Sequence, residues 1–198
     1  VAAAGDAGGW ETSESHEAVC PGVDLPGSFE EFVAALSKHD RHELRRKMRN
    51  FEAAGAPEFE TLTAAAAVEA EMETLFRLMR ISRGDKDEFL TPEMERFFRD
   101  LAAIFADLGM LRLSKLALDG ATVAMTLAFE RAGTTSLYNS GYDPEYSKLA
   151  VGLISKAYAI REGIARGGTR FDFLRGEEDY KRRLGGVDRE VVTLTLRA

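Results

Sequence analysis

Asp172, Glu177, Tyr180 and Lys181, side chains able to move protons or hold charge, fall within ten residues near the C-terminus. Carboxylates accept protons from nucleophiles and a phenol or an ammonium can return them, so the cluster holds the parts of general acid–base chemistry. Upstream, LYNSGYDPEYSKLAVGLISKAYAIREGIARGG reads as a strand end, a Gly/Asp/Pro loop and a helix. The spacing of Leu153, Ala157, Ile160 and Ile164 predicts that helix from about Leu149 to Arg166, with Gly167-Gly168 as its stop. Its opening, Leu149, Ala150, Val151, Gly152 and Leu153, offers free N–H groups and the positive end of a helix dipole, a natural anion site. Gly152 there would let a ligand approach the backbone closely.

Asp172 falls in the next predicted strand, Thr169 to Leu174, on the face opposite Phe171 and Phe173. A carboxylate inside a sheet needs a partner, and Arg175 or Lys181 is near enough in sequence to serve. Two readings stay open: a buried salt bridge that fixes the Arg175-Gly176 turn, or a functional role as general base or substrate-orienting group. Glu177 and Glu178 stand nearer to solvent and are weaker base candidates. Tyr138, Asn139, Tyr142 and Tyr146 suit a core-and-loop role and an acceptor pocket equally.

The elements that must position these residues follow from punctuation and period. Trp10 to Val19 reads as a strand. Ser28 with Glu31 forms a capping box that starts a helix to about Ser37. A basic helix then runs from Lys38 to Ala54, with Gly55 and Pro57 as its stop. Glu58 to Leu62 is a short strand, and Thr63 can cap a helix striped by Val68, Met72, Leu75, Phe76 and Met79. Thr91-Pro92 opens another, lined by Met94, Phe97, Phe98, Leu101, Phe105 and Leu108. Three strands follow, Met110 to Leu118, Ala121 to Glu130 and Thr134 to Asn139, joined at Asp119-Gly120 and Ala132-Gly133. Leu111 and Leu113 share one face while Leu116 and Leu118 take the other, which places a bulge near Ser114-Lys115. After Thr169 to Leu174 come a short helix, Glu177 to Arg183, and an edge or hairpin strand, Arg189 to Leu196.

This order specifies an α/β (α+β) domain with a central mixed sheet flanked by helices. Residues 28–198 form that domain, and 1–27 read as a remnant or linker from an upstream module. The start, VAAAGDAGGWE, lacks the basic and apolar regions of a signal peptide, and no apolar run approaches the roughly 20 residues that span a bilayer. With 198 residues, 45% hydrophobic and 30% charged, the chain is expected to be a cytoplasmic globular domain. His16, His39 and His42 make no HExxH motif, and the lone Cys20 precludes both a disulfide framework and a cysteine-based zinc cluster, so no metal is expected. Nucleophile-elbow, P-loop and dinucleotide motifs are missing too. Net charge of −7 argues against a dedicated nucleic-acid binder, yet KHDRHELRRKMR concentrates Lys38, Arg41, Arg45, Arg46, Lys47 and Arg49 on one helix. That helix is either a solvated face or a surface for phosphate, a polyanionic substrate or tRNA.

LYNSGYDPEY, the glycine-containing helix start and FDFLRGEEDYKRR, with DLPGSFEEFVAALSKHDRHELRRKMRNFEAAG upstream, resemble the GNAT-type acyltransferases. The likeness is to the cellulose-biosynthesis (CelD/BcsL-like) acetyltransferase branch, related in fold to the Fem-type peptidoglycan aminoacyltransferases, and it covers Val19 to Gly186. Ser147 stands where the GNAT phosphate loop has Gln or Arg, and Ala150 replaces its first glycine. The resemblance implies a GNAT-like fold and an acetyl-CoA or other acyl-CoA donor held at Leu149 to Leu153. A backbone N–H around Asn139, Ser140 and Gly141 would polarise the thioester carbonyl. The acceptor would be an amine or hydroxyl of a sugar or cell-envelope precursor. Tyr180 becomes the general acid for the leaving thiolate, against the plainer role of capping the sheet edge. Aminoacyl transfer from tRNA, with the basic helix as contact, and a non-catalytic interaction module are the rival expectations. Relatives of this kind often carry a second, related domain upstream.

Overall fold

The computed structural model describes residues 10–82 and 88–197, so residues 1–9 of the expected N-terminal segment lie outside the described residues. In chain order the elements are β1 (Glu11–Val19), β2 (Gly22–Asp24), α1 (Phe29–Ala35), α2 (Lys38–Glu52), β3 (Pro57–Leu62), α3 (Ala65–Ser82) and α4 (Pro92–Asp107). There follow β4 (Leu111–Leu118), β5 (Ala121–Arg131), β6 (Thr134–Tyr142), a 3₁₀ turn (Pro144–Leu149), α5 (Val151–Ala165), β7 (Arg170–Asp172), α6 (Asp179–Arg183) and β8 (Glu190–Arg197). Local chemistry explains the boundaries. Ser28, Ser37 and Thr91 each accept a hydrogen bond from the backbone N–H three residues on, which caps α1, α2 and α4. Asp119 and Gly120, like Ala132 and Gly133, both have positive φ, the backbone of tight two-residue hairpins.

Six strands form one sheet in the order β2-β7-β6-β5-β4-β3. Its pairs are antiparallel except β6 with β7, which the crossover helix α5 makes parallel. The sheet is therefore mixed and flanked by helices, as expected. On one face α3 and α4 pack Met72, Leu75, Phe76 and Phe98 against Leu111, Leu113, Met125 and Leu127. On the other, α5 is covered in turn by α1 and α2, with Leu116 and Leu118 beneath it. The change of face within β4 is real, and its register shift against β5 lies between Leu116 and Ala117, just beyond the expected position.

Several expectations are corrected. Phe97 and Leu108 point outward, 47% and 62% exposed, because Phe98 and Ala102 are the residues of α4 that face the sheet. α5 starts at Val151 rather than Leu149, since Pro144–Leu149 winds as 3₁₀ and Ala150 is left-handed (φ 56°, ψ 34°). β6 runs on to Tyr142, which puts Asn139, Ser140 and Gly141 inside a strand. β1 pairs with β8 in a separate two-stranded sheet, while β2 lies at the edge of the six-stranded one. No helix among the described residues is long and apolar enough to cross a membrane.

Candidate active site

β6 and β7 pair only from Thr134 to Ser136, against Arg170 to Asp172. Beyond that point β6 continues for six residues while β7 has ended, and the sheet opens at the carboxyl ends of its parallel strands. Ligands of open α/β sheets bind at such an opening. Two cavities occupy it, of about 370 and 500 Å³, and they share Ser140, Glu178 and Tyr180 in their walls. The first reaches the start of α5 and includes Ala150, Val151, Gly152 and Leu153. The second runs under Tyr138, Asn139, Arg175 and Lys181. Gly141, Leu149, Asp172 and Glu177 line neither cavity.

The start of α5 is a smaller cradle than Leu149 to Leu153 would suggest. The Ala150 N–H donates to the Ser147 carbonyl, and those of Leu153 and Ile154 donate to the Ala150 carbonyl. No side chain caps the helix. Val151 and Gly152 are thus left with N–H groups that find no backbone acceptor among the described residues. A Cβ on Gly152 would stand 3.1 Å from the Tyr142 ring, so this glycine makes room for an aromatic wall of the cleft. Gly141 serves packing more directly: a Cβ there would lie 2.4 Å from the Met79 nitrogen in α3. The Ser140 N–H is taken by the Asn139 side chain at 2.8 Å, which removes one of the three expected carbonyl-polarising donors.

The expected partners of Asp172 are corrected as well. Its Oδ1 accepts from the Leu174 N–H at 2.8 Å, and its nearest cation is Arg170, at 3.9 Å, which also reaches Asp24. Arg175 instead pairs with Glu17. Lys181 is buried, and its Nζ donates to the carbonyls of Leu174, Arg175 and Gly176 and pairs with Glu178 at 2.9 Å. It ties a turn in which Leu174 (φ 56°) and Gly176 (φ 113°) are both left-handed. Glu177 and Glu178 both precede α6 and are exposed, but only Glu178 lines the cavities, at their junction.

Tyr180 sits at that junction, edge-on to Phe173 with ring centroids 6.0 Å apart. Against its ring lies a group that sequence reasoning missed. Lys156 of α5 is 5% exposed, lines the first cavity, donates to the Gly152 carbonyl at 2.9 Å and holds its Nζ 5.1 Å from the Tyr180 centroid. The only signal for it was a cation in a helix otherwise uncharged over Ile154 to Ile160. A cationic site beside an open helix N-terminus suits an anionic donor, and a phenol with a carboxylate at the meeting of two cavities suits proton exchange between two substrates. Among the described residues no group of three or more His, Cys, Asp or Glu could hold a metal ion.

Comparison with known proteins bears on the fold. FemX superimposes with a TM-score of 0.75 at 12% identity, over 93% of this chain and 65% of its own. A conserved protein of unknown function from Bacteroides thetaiotaomicron gives 0.66 at 13% identity, over 96% and 62%. L-PGS from Bacillus licheniformis gives 0.62 at 16% identity, over 94% and 62%. At such identities the likeness is one of fold, and the chain spans about 62–65% of the length of these proteins. No curated protein sequence matches the chain. The profile of the family described as "Acetyltransferase (GNAT) domain" matches residues 38–182, from the start of α2 to the end of the site, and the chain belongs to that family of acyltransferases.

Proposed function

We propose that the chain moves an acyl group, acetyl from acetyl-CoA first among the acyl-CoA donors, to an amine or hydroxyl of a sugar or cell-envelope precursor, the acceptor class of the cellulose-biosynthesis branch. The observation that carries this reading is the pair of cavities that meet at Ser140, Glu178 and Tyr180. The thioester enters from the first cavity, its phosphates towards the Val151 and Gly152 N–H groups and Lys156. The acceptor enters from the second. Its nitrogen or oxygen attacks the thioester carbon, Glu178 takes the proton released, the C–S bond breaks and Tyr180 protonates the departing thiolate. Asp172 and Lys181 hold the turn that carries Glu178 and Tyr180, and Glu177 has no part in the chemistry.

A second reading, aminoacyl transfer from tRNA, has its own support: only two N–H groups at the start of α5 are free for a pyrophosphate, and α2 carries a basic face close by. In either case the proposal is for a protein that works in the cytoplasm. Titration calorimetry with acetyl-CoA, longer acyl-CoAs and free CoA tests the donor. A ligand at a hundred times its Kd adds about 2.7 kcal/mol of stability, and Gly152→Glu should abolish it by charge and bulk. No binding by any of the three overturns the acyl-CoA reading, and binding that survives Gly152→Glu removes the start of α5 as the donor site.

A further inference from the structure

The acyl-transfer site leaves the solvent face of α2 unused. Lys38, His39, Arg41, His42, Arg45 and Arg49 line a single shallow groove there, and no carboxylate contributes to its wall. All but Arg41, which is half-exposed, are exposed. The acids of α2 are engaged elsewhere: Asp40 with Ser37, Glu43 with Arg46, and Glu52 with the Tyr158 hydroxyl. Among the described residues Lys38, Arg41, Arg45 and Arg49 form no ion pair, and Arg41 donates only to the Ala34 carbonyl. In a chain of net charge −7, this leaves one uncompensated line of positive charge.

Its shape selects the partner. Lys38, Arg41, Arg45 and Arg49 follow one another at three- and four-residue steps, so the line runs for roughly 16 Å along the helix at 1.5 Å per residue. That is a track for repeated phosphates rather than a pocket for one. Three of the four are arginines, whose planar fork matches phosphate oxygens. A helix that embeds in a lipid surface has exposed apolar residues beside its bases. α2 has none: Leu44 and Phe51 are buried and Met48 is half-buried against the core. We infer that this face of α2 binds a single nucleic-acid strand through its phosphates. The inference stands on charge and shape alone and holds whether or not the donor is acyl-CoA, but it would supply the tRNA reading with its docking surface. Leu153 lines both the first cavity and a crevice beside His39 and Lys47, so a strand on α2 passes close to the mouth of the cleft.

The test is fluorescence anisotropy of a labelled single-stranded RNA of about twelve nucleotides, within the usual site size for such proteins. The triple variant Arg41→Gln, Arg45→Gln, Arg49→Gln is compared with a control that removes equal charge elsewhere, Arg96→Gln, Arg131→Gln, Arg197→Gln. Each phosphate contact to a single strand contributes about 0.7 to the salt slope, so losing three flattens it by about 2 and weakens binding roughly a hundredfold at 0.1 M salt. The control should bind as the parent does, and circular dichroism should show both variants folded. Three results would overturn the inference: no RNA binding by the parent at low salt, equal losses in both triples, or tighter binding to phosphatidylglycerol vesicles than to RNA.

Discussion

Lys181→Met distinguishes a lysine that reacts from one that holds the backbone. Lys181 is 1% exposed, and its ammonium donates to the Leu174 carbonyl at 3.1 Å, the Arg175 carbonyl at 2.5 Å and the Gly176 carbonyl at 3.1 Å. The turn it gathers is uphill on its own, since a left-handed residue with a side chain, here Leu174, costs about 1–2 kcal/mol. Methionine preserves the length and apolar stem and removes only the charge and its donors. Losing three hydrogen bonds at about 1 kcal/mol each gives a destabilisation of about 3 kcal/mol. Glu178 adds little to that figure, because its side chain is 43% exposed and water replaces the lost partner. For a domain of this size, 1 kcal/mol corresponds to about 2–4 °C, so scanning calorimetry should find the transition lowered by about 6–12 °C. A variant that melts with the parent would refute the reasoning. One that melts with the parent and yet loses turnover would return Lys181 to the reacting groups.

Gly141→Ala should destabilise by about 1–3 kcal/mol in thermal unfolding, since overpacking is costly when the neighbour cannot yield. Here the added Cβ meets the backbone of Met79 and Leu78 at 2.4 and 2.5 Å, and an unchanged transition would deny that contact. Tyr180→Phe should lower the turnover of an identified donor–acceptor pair about 10²- to 10⁴-fold with donor affinity unchanged, and full turnover would end its role as general acid. The hydrogen bond from Arg46 holds the Glu43 carboxyl at about 2, below its ordinary 4.5. Because the folded value is depressed, the contribution of this pair to stability is present above pH 4.5 and fades as the pH falls through 2. Carbon-detected NMR should place the midpoint there and Arg46→Gln should raise it; a parent midpoint near 4.5 would discount the pair.

Local signals made most of the fold readable. Thr91-Pro92, Ser28 with Glu31 and Asp119-Gly120 act within a few residues, and the apolar stripe of α3 repeats at helical spacing because only one of its faces meets the sheet. The site was less readable because its residues are set by contacts distant in sequence. Arg170, two residues from Asp172, is held by Asp24, 146 residues away on β2, a contact that local sequence does not show. Lys156 was hidden for a different reason. α5 is covered by the sheet on one side and by α1 and α2 on the other, so its buried residues encircle it from Val151 to Ile164 and no polar face marks which way a cation points. On a helix like that, a lysine in the cleft and a lysine in solvent have the same sequence signature.

The same logic bears on why Glu178 rather than Glu177 reaches the cleft. The Lys181 ammonium gathers the carbonyls of Leu174 to Gly176 and pairs with Glu178, the second of two adjacent carboxylates, which lines both cavities while Glu177 lines neither. On the proposed mechanism Lys181 thus holds the base, Glu178, by an ion pair, while the Lys156 ammonium lies over the ring of the acid, Tyr180. On that mechanism two buried ammonium groups position a neighbouring acid–base pair, and their removal should affect the pair through geometry: Lys181→Met by loosening the turn beneath Glu178, Lys156→Met by freeing the Tyr180 ring.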